Sequence, residues 1–259
     1  MKIAIVGYGR MGHTLEALAP EMGCEVVACL DHDAHLDRDS LAGAQVAIEF
    51  TVPESAPSVI RTLAALGVDV VSGTTGWQDQ LESVSRAVDA AGTGLLHAPN
   101  FSIGVALFRR MVRDAAQIVD GVEDYDVHLH ETHHHAKVDH PSGTAVALAD
   151  DILSQSTRKT SWAEYPPADS PGSAGSLGST GPADPVDPAV LGISVAREGH
   201  VPGTHIVTFD GPDDRIELRH DARSRNGFAR GALTSAKWLH GRTGVFTLDD
   251  LLDAQLGER

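Results

Sequence analysis

The chain opens Met1-Lys2-Ile3-Ala4-Ile5-Val6-Gly7-Tyr8-Gly9-Arg10-Met11-Gly12, and this stretch decides the fold. Residues 2–6 are a short apolar run rich in β-branched side chains, which reads as a strand. The spacing of Leu15, Leu18, Ala19 and Met22 after the glycines is helical, so the order is strand, tight turn, helix. Gly7, Gly9 and Gly12 form GxGxxG. In that context the first glycine permits the turn and the second lets the backbone approach a pyrophosphate. The helix start then offers unpaired N–H groups and a positive dipole end. Asp31 stands 24 residues after Gly7, beyond a second apolar run, where a carboxylate accepts hydrogen bonds from adenosine ribose hydroxyls. The competing reading is a glycine turn that only packs a helix on a sheet.

Working outward, 46–50, 68–72 and 95–97 read as further strands, separated by helical stretches at 56–66 and 78–91. Strands alternating with helices of this length imply a parallel, doubly wound sheet. After a helix over 103–119 the pattern becomes strict alternation, with Tyr125, Val127 and Leu129 on one face and Asp126, His128 and His130 on the other. That is a half-exposed strand and the start of a second, α+β domain. Residues 163–188 are dense in Pro, Gly, Ser, Ala and Asp and read as a long loop, of the kind that serves as a lid in enzymes. Residues 192–197, 205–210 and 215–220 read as antiparallel strands, and helices over 227–241 and 247–256 close the chain.

The 259 residues are 42% hydrophobic, enough for one or two packed domains and too many for a disordered chain. With 36 Asp and Glu against 20 Lys and Arg, the formal net charge is −16. Nucleic acid and anionic membrane need a basic face, so both are excluded as partners. Only four of the cations are lysines, and such an acid-rich, lysine-poor composition suits a high-salt interior. Cys24 and Cys29 are too few for a disulfide framework and read as two buried thiols of a reducing compartment. The N-terminal apolar run is too short for a signal peptide or a membrane span, which points to the cytoplasm.

Six histidines fall between positions 128 and 140. A transition-metal site and a merely solvated surface, the latter for His135 and His140, compete here with catalysis. HExxH is absent and no cysteine is near, so no metal is assigned. Lys137, Asp139 and Pro141-Ser142-Gly143-Thr144 follow, and then an alanine-rich helical run. Ser142 suits an N-cap, while Gly143 and Thr144 would present backbone N–H groups to a carboxylate with the Lys137 ammonium beside it. A capping role alone is the alternative for Ser142.

The run Glu131-Thr132-His133-His134-His135-Ala136-Lys137-Val138-Asp139-His140-Pro141-Ser142-Gly143-Thr144-Ala145 resembles the signature E-x-H-H-x-x-K-x-D-A-P-S-G-T-A of the dihydrodipicolinate reductase family. Gly73-Thr74-Thr75-Gly76, Ala98-Pro99-Asn100-Phe101-Ser102, the stretch from Arg197 through Gly203 to His205, and Ser224-Arg225 onward extend the likeness over nearly the whole chain. The resemblance implies an α/β fold: a Rossmann-type doubly wound parallel sheet over 1–102 plus 226–259. Inserted into it, over 103–225, would be an α+β domain that binds substrate and builds a homotetramer.

The resemblance further implies reduction of 4-hydroxy-tetrahydrodipicolinate, a small dicarboxylate, to tetrahydrodipicolinate with NADH or NADPH, in lysine and diaminopimelate biosynthesis. It makes His133 the acid/base and Lys137 the proton donor. Substrate contacts fall to His134, Lys137, Ser142, Gly143 and Thr144. Cofactor contacts fall to Gly7, Tyr8, Gly9, Arg10, Met11, Gly12, Asp31, Gly73, Thr74, Thr75, Ala98, Pro99, Asn100 and Phe101. Asp31 repels a 2′-phosphate and so favours NADH, with His32, His35 and Arg38 near enough in sequence to soften the repulsion. Two departures stand out: His140 replaces alanine, and Pro99 removes an amide at a cofactor segment. Rival readings are a homoserine or aspartate dehydrogenase sharing the cofactor half, and a catalytically idle dinucleotide sensor.

Overall fold

The computed structural model describes residues 1–31, 34–165, 187–224 and 226–257. His32, Arg225 and most of the 163–188 loop lie outside the described residues. The chain divides into two units, Met1–Ala106 with Arg225–Arg259, and Leu107–Ser224.

The first unit is built on a six-stranded parallel sheet. Its strands are β1 (Lys2–Val6), β2 (Glu25–Leu30), β3 (Val46–Glu49), β4 (Asp69–Ser72) and β5 (Gly94–His97), joined from the end of the chain by β11 (Gly244–Phe246). Their order is β11-β5-β4-β3-β1-β2. The helices are α1 (Arg10–Leu18), α2 (Ala56–Ala65), α3 (Leu81–Ala91), α6 (Asn226–Leu239) and α7 (Leu248–Gly257). β3 and β4 are buried along their whole length, and so is β1 beyond Lys2, because helices cover both faces of the sheet. Alternation sends Ile3 and Ile5 to one face, against Leu15, Leu233 and Leu251, and Ala4 and Val6 to the other, against Ile60 and Leu63. β1 lies between β2 and β3, so successive connections leave it in opposite directions and open a crevice at its C-terminal end.

The second unit carries β6 (Asp126–His133), β7 (Ser161–Tyr165), β8 (Val190–Arg197), β9 (Thr204–Asp210) and β10 (Arg215–Asp221), in the order β10-β9-β6-β8-β7. α4 (Ile103–Asp120) leads into it, and α5 (Gly143–Gln155) follows β6. Among the described residues helices cover one face, and β6 alternates: Val127, Leu129, Glu131 and His133 are buried, the first two among Phe108, Val112, Leu148 and Ile152. Among the described residues no helix is long and apolar enough to cross a membrane.

Several local expectations are corrected. β8 runs parallel to both β6 and β7. Its alternation reveals which face is buried and not the strand's direction; β6–α5–β7 is a crossover that makes those two strands run the same way, and β8 lies between them. Ala163–Tyr165 complete β7, so the loop begins later than residue 163. β11, only three residues long, is too short to show a period. Cys24 is buried, but Cys29 is exposed, because β2 is the outermost strand of its sheet.

Candidate active site

In the first unit, the segments expected to hold a dinucleotide follow the C-terminal ends of β1, β2, β4 and β5. Gly7 has φ +91°, and a Cβ there would fall 2.2 Å from the Phe50 carbonyl oxygen, so only glycine passes the end of β3. At Gly12 a Cβ would meet the Gly7 carbonyl oxygen at 3.0 Å, which explains the close seating of α1 on β1. At Gly9 a Cβ would meet nothing within 4 Å. Gly9 is the N-cap of α1, without a side-chain cap or an acidic residue in the first turn. Among the described residues the start of α1 therefore has open space beside Gly9 and no acidic side chain of its own first turn, which fits a pyrophosphate. Asp31, Arg10 and the Met11 side chain border this loop with partial or full exposure. Tyr8 donates its hydroxyl to Glu16, a hydrogen bond that pushes the phenol up to about 12.

Sequence reasoning missed Glu49, which organises the next two loops. This fully buried carboxylate accepts from Thr51 N (2.6 Å) and Oγ1 (2.5 Å), from Ser72 Oγ (2.5 Å) and from Thr74 Oγ1 (2.6 Å). It thereby ties the turn after β3 to Gly73–Thr75 after β4. A Cβ on Gly73 would lie 2.1 Å from the Phe50 ring, so this glycine answers to packing. Phe101 is core, edge-on to Phe50, with its carbonyl packed against Gly231 of α6. Ala98 is also buried, its N–H donating to the Ser72 carbonyl at 3.2 Å. Asn100 Oδ1 accepts from Ser102 N at 2.8 Å.

In the second unit the chemistry-bearing groups gather around Glu131, which is wholly buried near the end of β6. Oε1 accepts from Ser142 N (3.0 Å) and Arg197 Nη2 (3.2 Å). Oε2 faces His133 Nδ1 at 3.4 Å and His205 Nε2 at 3.6 Å. Burial opposes ionisation of this carboxyl, but donors from His133, His205 and Ser142 outweigh it and hold the group well below the usual carboxylate range. His205 is pushed down, chiefly by burial, and stays neutral near pH 7. Ser142 caps α5, its Oγ accepting from Ala145 N at 3.2 Å and meeting His205 Nε2 at 3.2 Å.

Lys137 is partly exposed and donates to both oxygens of Asp139 at 2.8 Å. Burial raises the Asp139 carboxyl, but the Lys137 ammonium and the Gly143 amide hold it below its ordinary value. His134 and Thr144 are half-buried and Gly143 is exposed, and Asp139 is the carboxylate that engages both Lys137 and the α5 start here. His135 and His140 are exposed; His135 Nε2 accepts from Gly199 N and His140 pairs with Glu164. Glu131, His133 and His205 offer ligand-type atoms within 4.8 Å of one another. The Arg197 guanidinium on the same carboxylate opposes a metal cation there, since two positive charges would share one anion. We read the trio as a hydrogen-bonding cluster.

Family models described as dihydrodipicolinate reductase, N-terminus and C-terminus, match residues 1–101 and 104–252. The chain belongs to the dihydrodipicolinate reductase family. Among its relatives, the 4-hydroxy-tetrahydrodipicolinate reductase of Christiangramia forsetii is 37% identical over 252 residues, 97% of this chain and 98% of the relative. The enzyme of that name from Archaeoglobus fulgidus is 33% identical over 273 residues, 98% of this chain and 100% of the relative. A dipicolinate-bound dihydrodipicolinate reductase from Paenisporosarcina sp. TG-14 superposes with a TM-score of 0.75 at 24% identity, covering 95% of this chain and 97% of that one, which shows the shared fold. To the dihydrodipicolinate reductase signature the structure adds a role for its first residue, Glu131, and brings Arg197 and His205 of the later matching stretch to it. One signal in the sequence points to Glu131: a carboxylate on the inward, otherwise apolar phase of a strand must have partners.

Proposed function

We propose that the chain reduces the unsaturated cyclic imine dicarboxylate formed by loss of water from 4-hydroxy-tetrahydrodipicolinate, giving tetrahydrodipicolinate for diaminopimelate and lysine synthesis. The observation that carries this reading is the gathering of His133, Lys137 and the Ser142–Thr144 helix start within a chain that the family models cover almost end to end. Residues 1–102 with 226–259 are the cofactor half, and 103–225 the substrate and assembly half.

A reduced nicotinamide nucleotide, when bound, supplies the hydride. The Gly7–Gly12 loop, Asp31, Gly73–Thr75 and the backbone of Ala98–Phe101 would hold it. The Gly143 and Thr144 amides and the Lys137 ammonium receive a substrate carboxylate in place of Asp139, with His134 beside them. Conjugate addition of hydride to the unsaturated ring leaves an electron-rich enamine, whose neighbouring carbon takes a proton from His133 or Lys137. Asp31 repels a 2′-phosphate, which supports NADH over NADPH, and the ratio of kcat/KM for the two nucleotides tests that preference. Assembly as a homotetramer in the cytoplasm completes the reading; size-exclusion chromatography with light scattering tests the subunit number.

The deciding experiment feeds the purified chain the product made by the preceding synthase from pyruvate and aspartate semialdehyde, and follows NADH absorbance. Oxidation dependent on that product is expected. Its absence would favour a homoserine or aspartate dehydrogenase, or a sensor, over this assignment.

A further inference from the structure

Glu131 has no counterpart among the groups the reaction needs, yet it is the most completely buried charge beside them. Four donors from four parts of the second unit converge on it: His133 of β6, Ser142 at the start of α5, Arg197 of β8 and His205 of β9. Sheet register creates the cluster, since Glu131 pairs directly with His205 across β6 and β9, and His133 with Arg197 across β6 and β8. The two carboxylate oxygens are divided. Oε1 is committed to Ser142 and Arg197. Neither Oε2 nor His133 Nδ1 has a well-aligned hydrogen bond among the described residues, although both are buried and they lie 3.4 Å apart. Each is the nearest answer to the other's unmet need.

The opposite edge of the imidazole looks elsewhere. A Cβ on Gly203 would come 2.9 Å from His133 Nε2, so the glycine leaves space beside that nitrogen. We propose that Glu131 is the positioning residue of this site: its carboxylate fixes a proton on His133 Nδ1 and so makes Nε2 the atom that exchanges a proton with substrate. The imidazolium gives its Nε2 proton to the ring carbon, is left as the neutral Nδ1–H tautomer, and regains a proton from water. Through Oε1 the same carboxylate orients the α5 start, so the proton donor and the seat for the substrate carboxylate share one anchor. This inference rests on the proposed reductase reading and deepens it.

The test is Glu131→Gln. The amide oxygen preserves the acceptor for Ser142 and Arg197, while its NH2 group faces the imidazoles and demands an acceptor at Nδ1. The charged or titratable groups packed about this cluster are His205, whose ring meets that of His133, Arg197, which shares Glu131 with them, and Lys137, whose charge reaches His205; the substitution keeps all of them in the chain. With wild-type activity established first, failure of the reductase reading is separated from failure of this one. In Glu131→Gln, kcat is expected to fall about 100-fold or more, as when a serine-protease triad loses its carboxylate, with substrate KM within about threefold. The shape of the pH–rate profile should change, because the substitution removes a negative charge beside the proton-donating group. Nitrogen-15 spectra of histidine-labelled protein should show His133 protonated on Nδ1 in the wild type and on Nε2 in the variant. A folded variant with near wild-type kcat, or one whose loss leaves pH profile and tautomer unchanged, overturns the proposal. Should the variant not fold, a wild-type His133 carrying its neutral-form proton on Nε2 overturns it equally.

Discussion

Gly203 is held at φ +151°, where a side chain is disfavoured on conformational grounds before any contact is considered. Gly203→Ala would place a methyl group beside the His133 ring, and displacement of that ring by a fraction of an ångström is costly to proton transfer. The expected outcome is a kcat lowered about tenfold or more with NADH affinity unchanged, read by steady-state kinetics and by fluorescence titration of the nucleotide. His133→Ala and Lys137→Ala should likewise lower kcat far more than they weaken NADH binding; near wild-type turnover in both would remove these two residues from the chemistry. Residues of this kind were partly legible in the sequence, because imidazole and ammonium groups announce their chemistry by type. Gly203 and Glu131 stood in quoted motifs without a role. A glycine's reason is the neighbour it makes room for, and that neighbour lies 70 positions away.

At the scale of elements, the start of α5 joins stability to binding. Ser142 caps the helix, and Ser142→Ala removes the acceptor for Ala145 N and the contact with His205, a loss of about 1 kcal/mol by the usual worth of a cap. Thermal denaturation should show that loss, and a raised substrate KM should accompany it if the same turn seats a carboxylate; an unchanged melting point would mean that the cap is idle. The N-terminal unit was readable element by element because each βα step is local: strand, glycine turn and helix lie within twenty residues. The second sheet was not, since its strands meet across long connections. Nothing in the alternation of 190–197 states whether that strand runs with or against β6, and direction and register together bring Arg197 and His205 to Glu131.

For the molecule as a whole, protonation and salt make separate demands. His97, His130, His205 and His220 are all pushed below the ordinary histidine value of 6.5, each mainly by burial. The unfolded chain therefore binds protons that the folded chain refuses, so stability is full above about pH 6.5 and falls as pH drops below it. The depressed carboxyls of Glu131, Asp120 and Asp221 add a second loss only below about pH 4. A melting temperature that stayed flat between about pH 7 and pH 5 would contradict the histidine part. Salt tests the net charge of −16. Of the four lysines, Lys137 is engaged by Asp139 and Lys159 is buried against Asp126, which leaves little ammonium charge to offset the acidic surface. Screening of that self-repulsion should raise the melting temperature as KCl increases, and most of the effect should be complete by about 0.15 M, where the Debye length has shrunk to about 8 Å. A rise that continues into molar KCl cannot come from screening alone and would mark the surface as built for concentrated salt. A plateau or a fall beyond that point would leave the acidic surplus as ordinary solubility chemistry.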